Sequence, residues 1–114
     1  MANKRVEATV IGENALLNSN VGVIAALATS HRLPASGLAT FPDAGGLLGY
    51  GANRPLVYGR AANFVDKILK GAKPGDIPIE RATRFELIVN LKTAKALGIK
   101  IPQQLLQRAE RVIE

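Results

Sequence analysis

The chain has 114 residues, the size of one small domain, and its 47% hydrophobic and 21% charged residues are a globular balance that excludes a disordered chain. Aromatics are only 4% and cysteine is absent, so the core is expected from Ala, Val, Leu and Ile, and disulfides and thiolate metal sites are excluded. A net charge of +6 raises nucleic acid as a partner, but the cations are scattered and no aromatics are interleaved with them, so they read as solvated surface.

The opening run MANKRVEATVIGEN starts with a basic patch and lacks the apolar stretch of a signal peptide; no run is apolar enough to cross a membrane. Residues 6–11, VEATVI, alternate and then become apolar, which predicts a strand. Helical periodicity begins near Ser19 or Asn20, both good N-caps. Val21, Ile24, Ala25 and Ala28 form the apolar face, with Leu27 at its margin, and the helix is expected to end near His31 and Arg32. LPASG at 33–37 reads as a short strand, and TFPDAGG at 40–46 as a loop with room for one helical turn. LLGYG at 47–51 predicts a buried strand ending in a turn.

The clearest helix covers about 56–70: Val57, Ala61, Phe64, Val65, Ile68 and Leu69 line one side, Arg60, Asn63, Lys67 and Lys70 the other. Gly71 is its expected C-cap and Pro74 bars continuation. An extended segment at 72–83 leads to a strand at 84–90, RFELIVN, and a short helix from Leu91 to Leu97 closed by Gly98. Pro102 is placed in the first turn of a last helix, with Leu105, Leu106, Ala109, Val112 and Ile113 as its apolar face. The order β-α-β-β-α-β-α-α predicts one α/β domain over residues 1–114, an open, mostly parallel sheet with flanking helices.

The sequence offers little reactive chemistry. With one histidine and no cysteine, a metal would fall to carboxylates, which show no ligand spacing. His31 reads as a helix-end cation, leaving no Ser/His/Asp arrangement. GGLLGYGAN is glycine-rich but is neither G-x-G-x-x-G nor a P-loop, since Ala52 stands where the lysine belongs. In an open α/β sheet ligands bind beyond the carboxyl ends of the strands. Those ends are expected at Gly12-Glu13-Asn14, at Gly37 to Phe41 and at Tyr50-Gly51-Ala52-Asn53. Their glycines, amides, aromatics and one carboxylate suit hydrogen bonds to a small polar molecule, but on the residues alone ordinary turn chemistry is the favoured reading.

FELIVNLKTAKALGIKIPQQLLQRAERVIE resembles the C-terminal end of bacterial ABC transporter substrate-binding proteins, receptors for tryptophan and other amino acids. SHRLPASG, AGGLLGYGAN and RAANFVDKILKGAKPGDIPIE are similar to earlier parts of that family in the same order. The resemblance covers about 8–114; residues 1–7 match nothing in it.

The resemblance implies one lobe of a type I periplasmic-binding-protein-like fold: most of a C-terminal lobe, truncated, without the N-terminal lobe and without the lobe's first strand–helix unit. It implies a non-catalytic, periplasmic solute-binding role without cofactor or metal. Its partners would be an amino-acid-like solute and an ABC permease, not nucleic acid. Its ligand contacts fall on Gly12, Glu13, Asn14, Tyr50, Gly51 and Asn53, although the family more commonly carries a small hydroxyl residue and Asp where Gly12-Glu13-Asn14 stands. An edge left open at Val6 to Ile11, with Lys4, Arg5 and Glu7 as blunting charges, leads to an expected homodimer, and a fragment that has lost solute binding and self-associates is the alternative.

Overall fold

A computed structural model describes residues 6–114; Lys4 and Arg5 lie outside the described residues. The chain divides into two compact units, residues 1–51 with 86–114, and residues 52–85.

The first unit is built on a five-stranded sheet in the order β1-β2-β3-β4-β5, the order of the chain. The strands are β1 Thr9–Val10, β2 Ala35–Gly37, β3 Leu48–Ala52, β4 Phe85–Asn90 and β5 Arg111–Ile113. β1 runs parallel to β2 with Val10 opposite Ser36, β2 parallel to β3 with Gly37 opposite Gly49, and β4 parallel to β5 with Val89 opposite Val112. This is the expected α/β architecture with a mostly parallel sheet.

Helix α2, Val21–Ser30, turns Val21, Ile24, Ala25 and Ala28 onto Ala35 and Phe41 as its periodicity requires, while Leu27 is exposed. Its end is held by His31, whose Nδ1 lies 2.9 Å from the Leu27 carbonyl. A second cluster gathers Leu47, Val89, Ala94 and Ile101, with Leu87, Leu91, Leu105 and Leu106 packed against it. Leu47 stands where both halves of the sheet meet: its N–H donates to the Ala35 carbonyl at 3.3 Å, and its own carbonyl accepts from the Asn90 N–H at 3.0 Å. Helix α4, Leu91–Leu97, follows β4 without a loop and ends on Gly98 at φ 71°.

Four expectations for this unit are corrected. The last segment is not one helix. Helix α5 spans only Gln103–Arg108, Ala109 is extended at φ −72°, ψ 128°, and Arg111–Ile113 form β5. Glu110 donates to the Leu87 carbonyl at 2.8 Å, so the exposed edge of β4 pairs the β-branched Val112 and Ile113, which a helix would hold less well. A five-residue helix, α1 Ala15–Ser19, precedes α2 and is too short to show a period. The first strand is ladder-paired only at Thr9–Val10, bonded through Thr9 N–H to the Pro34 carbonyl and Ile11 N–H to the Ser36 carbonyl. The strand expected at 33–37 starts only at Ala35, because Arg32 takes a left-handed turn at φ 52° and Leu33 N–H still bonds back to the helix at Ala28.

The second unit is helix α3, Arg54–Leu69, and the chain that returns from it. The helix starts two residues earlier than its periodicity indicates, because Asn53 caps it and Pro55 fits its first turn. Gly71 follows at φ 103°, and Pro74–Asp76 form a 3₁₀ turn. The returning segment is tied back by Arg60 to Glu80 at 2.5 Å and by Asn53 N–H to the Arg84 carbonyl at 3.2 Å. No residue of α3 is buried.

Candidate solute-binding edge

Because β1, β2 and β3 are adjacent and parallel, their carboxyl ends open on one edge of the sheet. Strands are about 4.8 Å apart, so the ends of β1 and β3 are separated by about 10 Å, the span of a small molecule. Three of the sequence-predicted residues, Gly12, Glu13 and Asn14, form the exposed link between β1 and α1. Tyr50 and Gly51 lie in the last half of β3, Tyr50 exposed at 62% and Gly51 half-buried. Asn53 belongs to the second unit.

Asn14 and Asn53 do structural work with their side chains. Asn14 Oδ1 accepts from Leu16 N–H at 2.9 Å and starts α1; Asn53 Oδ1 accepts from Leu56 N–H at 2.9 Å and starts α3. A third expected loop, Gly37 to Phe41, loses its aromatic to the core: Phe41 is 1% exposed and offers nothing to a solute. The 3₁₀ turn that carries it, Phe41–Ala44, turns the ring inward, where it lies against the backbones of Gly37 and Gly46.

The path from that turn into Tyr50 is tightly filled. A Cβ on Gly49 would stand 2.5 Å from Pro42 Cδ and 2.6 Å from the Leu38 carbonyl oxygen, so only glycine lets β3 pass the turn. The glycine run thus serves close packing, while Gly12 has open space around it.

The turn is held from the other side by two residues that the sequence reading placed only at the end of a strand and in the short helix after it. Asn90, 5% exposed at the end of β4, donates Nδ2–H to the Pro42 carbonyl at 3.0 Å and accepts Thr93 N–H on Oδ1 at 3.0 Å. Thr93, 8% exposed in α4, donates its hydroxyl to the Gly45 carbonyl at 3.0 Å. The local signal was present in VNLKT, an asparagine directly before a helical run, but its reach of 48 residues to Pro42 was not. At the surface Arg111 of β5 donates to Asp43 of the same turn at 2.7 Å. That hydrogen bond raises the guanidinium pKa; desolvation opposes it, and the charges of Asp43 and Glu86 add to the rise.

Among the described residues no three His, Cys, Asp or Glu side chains are placed to hold a metal ion, and no helix is long and apolar enough to cross a membrane. The profile of the family described as "ABC transporter substrate binding protein" matches residues 1–113. The chain belongs to this family. Two solved members of its structural neighbourhood share both fold and sequence. The ABC domain in complex with L-Trp from Streptococcus pneumoniae has a TM-score of 0.88 and 26% identity over 98% of this chain. A conserved domain protein from Vibrio cholerae has a TM-score of 0.87 and 25% identity over 93%. The ligand-free, open structure of a Clostridium difficile substrate binding protein with adhesive properties, at 22% identity, a TM-score of 0.60 and 91% coverage, supports the fold alone. This chain spans 38%, 36% and 35% of those three proteins, respectively. No curated protein matches the sequence.

Proposed function

We propose that this chain supplies one face of the solute site of an ABC importer's substrate-binding protein. It binds an amino-acid-like solute without catalysing a reaction and delivers it outside the cytoplasm to a membrane permease. The observation that carries this is the placement of Gly12, Glu13, Tyr50 and Gly51 on the carboxyl edge of a parallel sheet in a chain that the family profile matches over residues 1–113. The L-Trp complex of the pneumococcal relative supplies the solute class. Asn14 enters the proposal as the residue that closes the loop after β1, its Oδ1 committed to a helix start.

One face of a cleft makes about half the contacts of a complete site, so L-tryptophan and other L-amino acids are expected to bind this chain no tighter than about millimolar. Titration of the isotope-labelled chain with an L-amino-acid panel tests this: the amides of Gly12, Glu13, Tyr50 and Gly51 should move first. Movement confined to other segments, or a low-micromolar site on the isolated chain, would refute it.

A second reading, self-association into a homodimer, is favoured by the exposed first strand. β1 ends the sheet order, with Val10 79% and Val6 40% exposed. Light scattering at micromolar concentration should then show a dimer that Val10→Lys dissolves. A monomer at those concentrations rules the reading out.

A further inference from the structure

We propose that Asn90 and Thr93 are positioning residues for the solute-binding edge, acting on Tyr50 and Gly51 through the turn at Phe41–Ala44; this rests on the reading of that edge as a solute site. The side-chain bonds of Asn90 and Thr93 go to the turn and to each other. Asn90 sits at the junction of β4 and α4, on the far side of β3 from the loop after β1. Its effect is carried by two neighbouring packing steps.

In the first step the junction grips the turn and the residues that lead from it into β3, at three points. Asn90 Nδ2–H is donated to the Pro42 carbonyl, Thr93 Oγ1–H to the Gly45 carbonyl, and the Asn90 backbone N–H to the Leu47 carbonyl, each at 3.0 Å. Asn90 itself is fixed by accepting Thr93 N–H, so the two side chains form one unit. Both are nearly buried, and every buried side-chain polar atom among the described residues has a partner. A network satisfied in this way has one arrangement, because any alternative leaves buried polar groups unpaired.

In the second step the gripped turn sets the strand. Pro42, fully buried, lies against the backbone of Gly49 so closely that a Cβ there would overlap its ring. Gly49 is bonded directly to Tyr50. A displacement of Pro42 therefore has no slack to absorb it before it reaches Tyr50 and Gly51. Bonds within the turn itself, Gly45 N–H to Pro42 and Gly46 N–H to Phe41, both at 3.0 Å, keep it moving as a piece. A cap that served only α4 would need the Oδ1 bond to Thr93 and neither of the side-chain bonds to the turn.

The test uses the whole chain, with Thr93→Val to remove the hydroxyl at nearly constant volume and Thr93→Ser to restore it. Amide resonances are recorded for each, followed by titration with L-tryptophan. The expected result is that Thr93→Val keeps its far-ultraviolet circular dichroism but shifts the Tyr50 and Gly51 amides. Affinity for L-tryptophan should fall about tenfold, comparable to one ordinary hydrogen bond, and Thr93→Ser should restore both. Lowered thermal stability with Tyr50 and Gly51 amides unmoved would overturn the proposal and leave a structural role alone.

If the unsubstituted chain binds none of the L-amino acids, the solute reading fails, and the Tyr50 and Gly51 amide shifts still decide the positioning role. If Thr93→Val does not fold, hydrogen exchange in the unsubstituted chain decides instead. The Gly46 amide and the β3 amides should open together; independent opening overturns the proposal.

Discussion

Two helices of this chain start with the same device and end up in opposite circumstances. Asn53 and Asn90 both cap a helix by accepting the backbone N–H three residues on, at 2.9 and 3.0 Å. Helix α3 is the longer, 16 residues against 7, and its pattern is the clearest in the sequence, yet none of its residues is fully buried. Helix α4 has a weak pattern, but Thr93 and Ala94 are buried and its cap reaches into the turn beside the proposed site. The difference separates two kinds of information: local periodicity specifies that a helix forms, and long-range packing specifies what the helix is for.

Substitutions can break that comparison, beginning where the packing is tightest. Phe41→Ala should cost about 4 kcal/mol, because its ring fills space between Gly37 and Gly46 that the backbone cannot close. Phe64→Ala in α3, where the ring is half-buried, should cost no more than about 1 kcal/mol. Urea unfolding of both variants measures the gap; equal losses would mean that α3 is as well packed as the turn.

The two caps give the next effect. Asn90→Ala should lose about 2 kcal/mol, from the cap and the buried bond to Pro42 together. Asn53→Ala should lose about 1 kcal/mol, the value of a cap alone. Equal losses in the same urea series would show that the buried bond to Pro42 adds nothing.

The smallest effect is electrostatic. Arg111→Gln removes a half-exposed ion pair with Asp43 and should cost less than about 1 kcal/mol, with the loss shrinking as salt is added. The guanidinium pKa is raised in the folded chain, so its share of the stability is fully present below the unfolded value and is lost only as pH rises through the folded one, in strong alkali. Stability difference curves between the chain and Arg111→Gln should therefore show no inflection that belongs to Arg111 between pH 6 and 9, a range chosen as roughly neutral. An Arg111-dependent step there would contradict the assigned pairing.

These contrasts also mark where sequence reading stops. The face of α2, the Gly98 stop and the glycine-rich strand were legible because each is fixed by neighbours in the chain. Val112 and Ile113 misled, since the same two residues serve a helix face or a strand, and only the open edge of β4 decides between them. Phe41 looked available to a solute because it follows the carboxyl end of a predicted strand, whereas its burial depends on glycines at positions 37 and 46. Of the proposed contacts, Gly12, Glu13, Tyr50 and Gly51 were legible as strand ends; the Asn90 and Thr93 bonds that flank them were not, because both cross 48 residues of chain.

Leu47 gives the chain a built-in reporter of cooperativity. Its N–H answers to Ala35, which packs with the α2 cluster, and its carbonyl answers to Asn90, beside the α4 cluster. A single residue labelled with nitrogen-15 and carbonyl carbon-13 would thus follow two melting processes at once. If both signals change at one temperature, the two clusters unfold as one body. If the nitrogen signal moves first, the half carrying β1 and β2 detaches while the β4 half persists, and the peptide of Leu47 is the seam along which this unit comes apart.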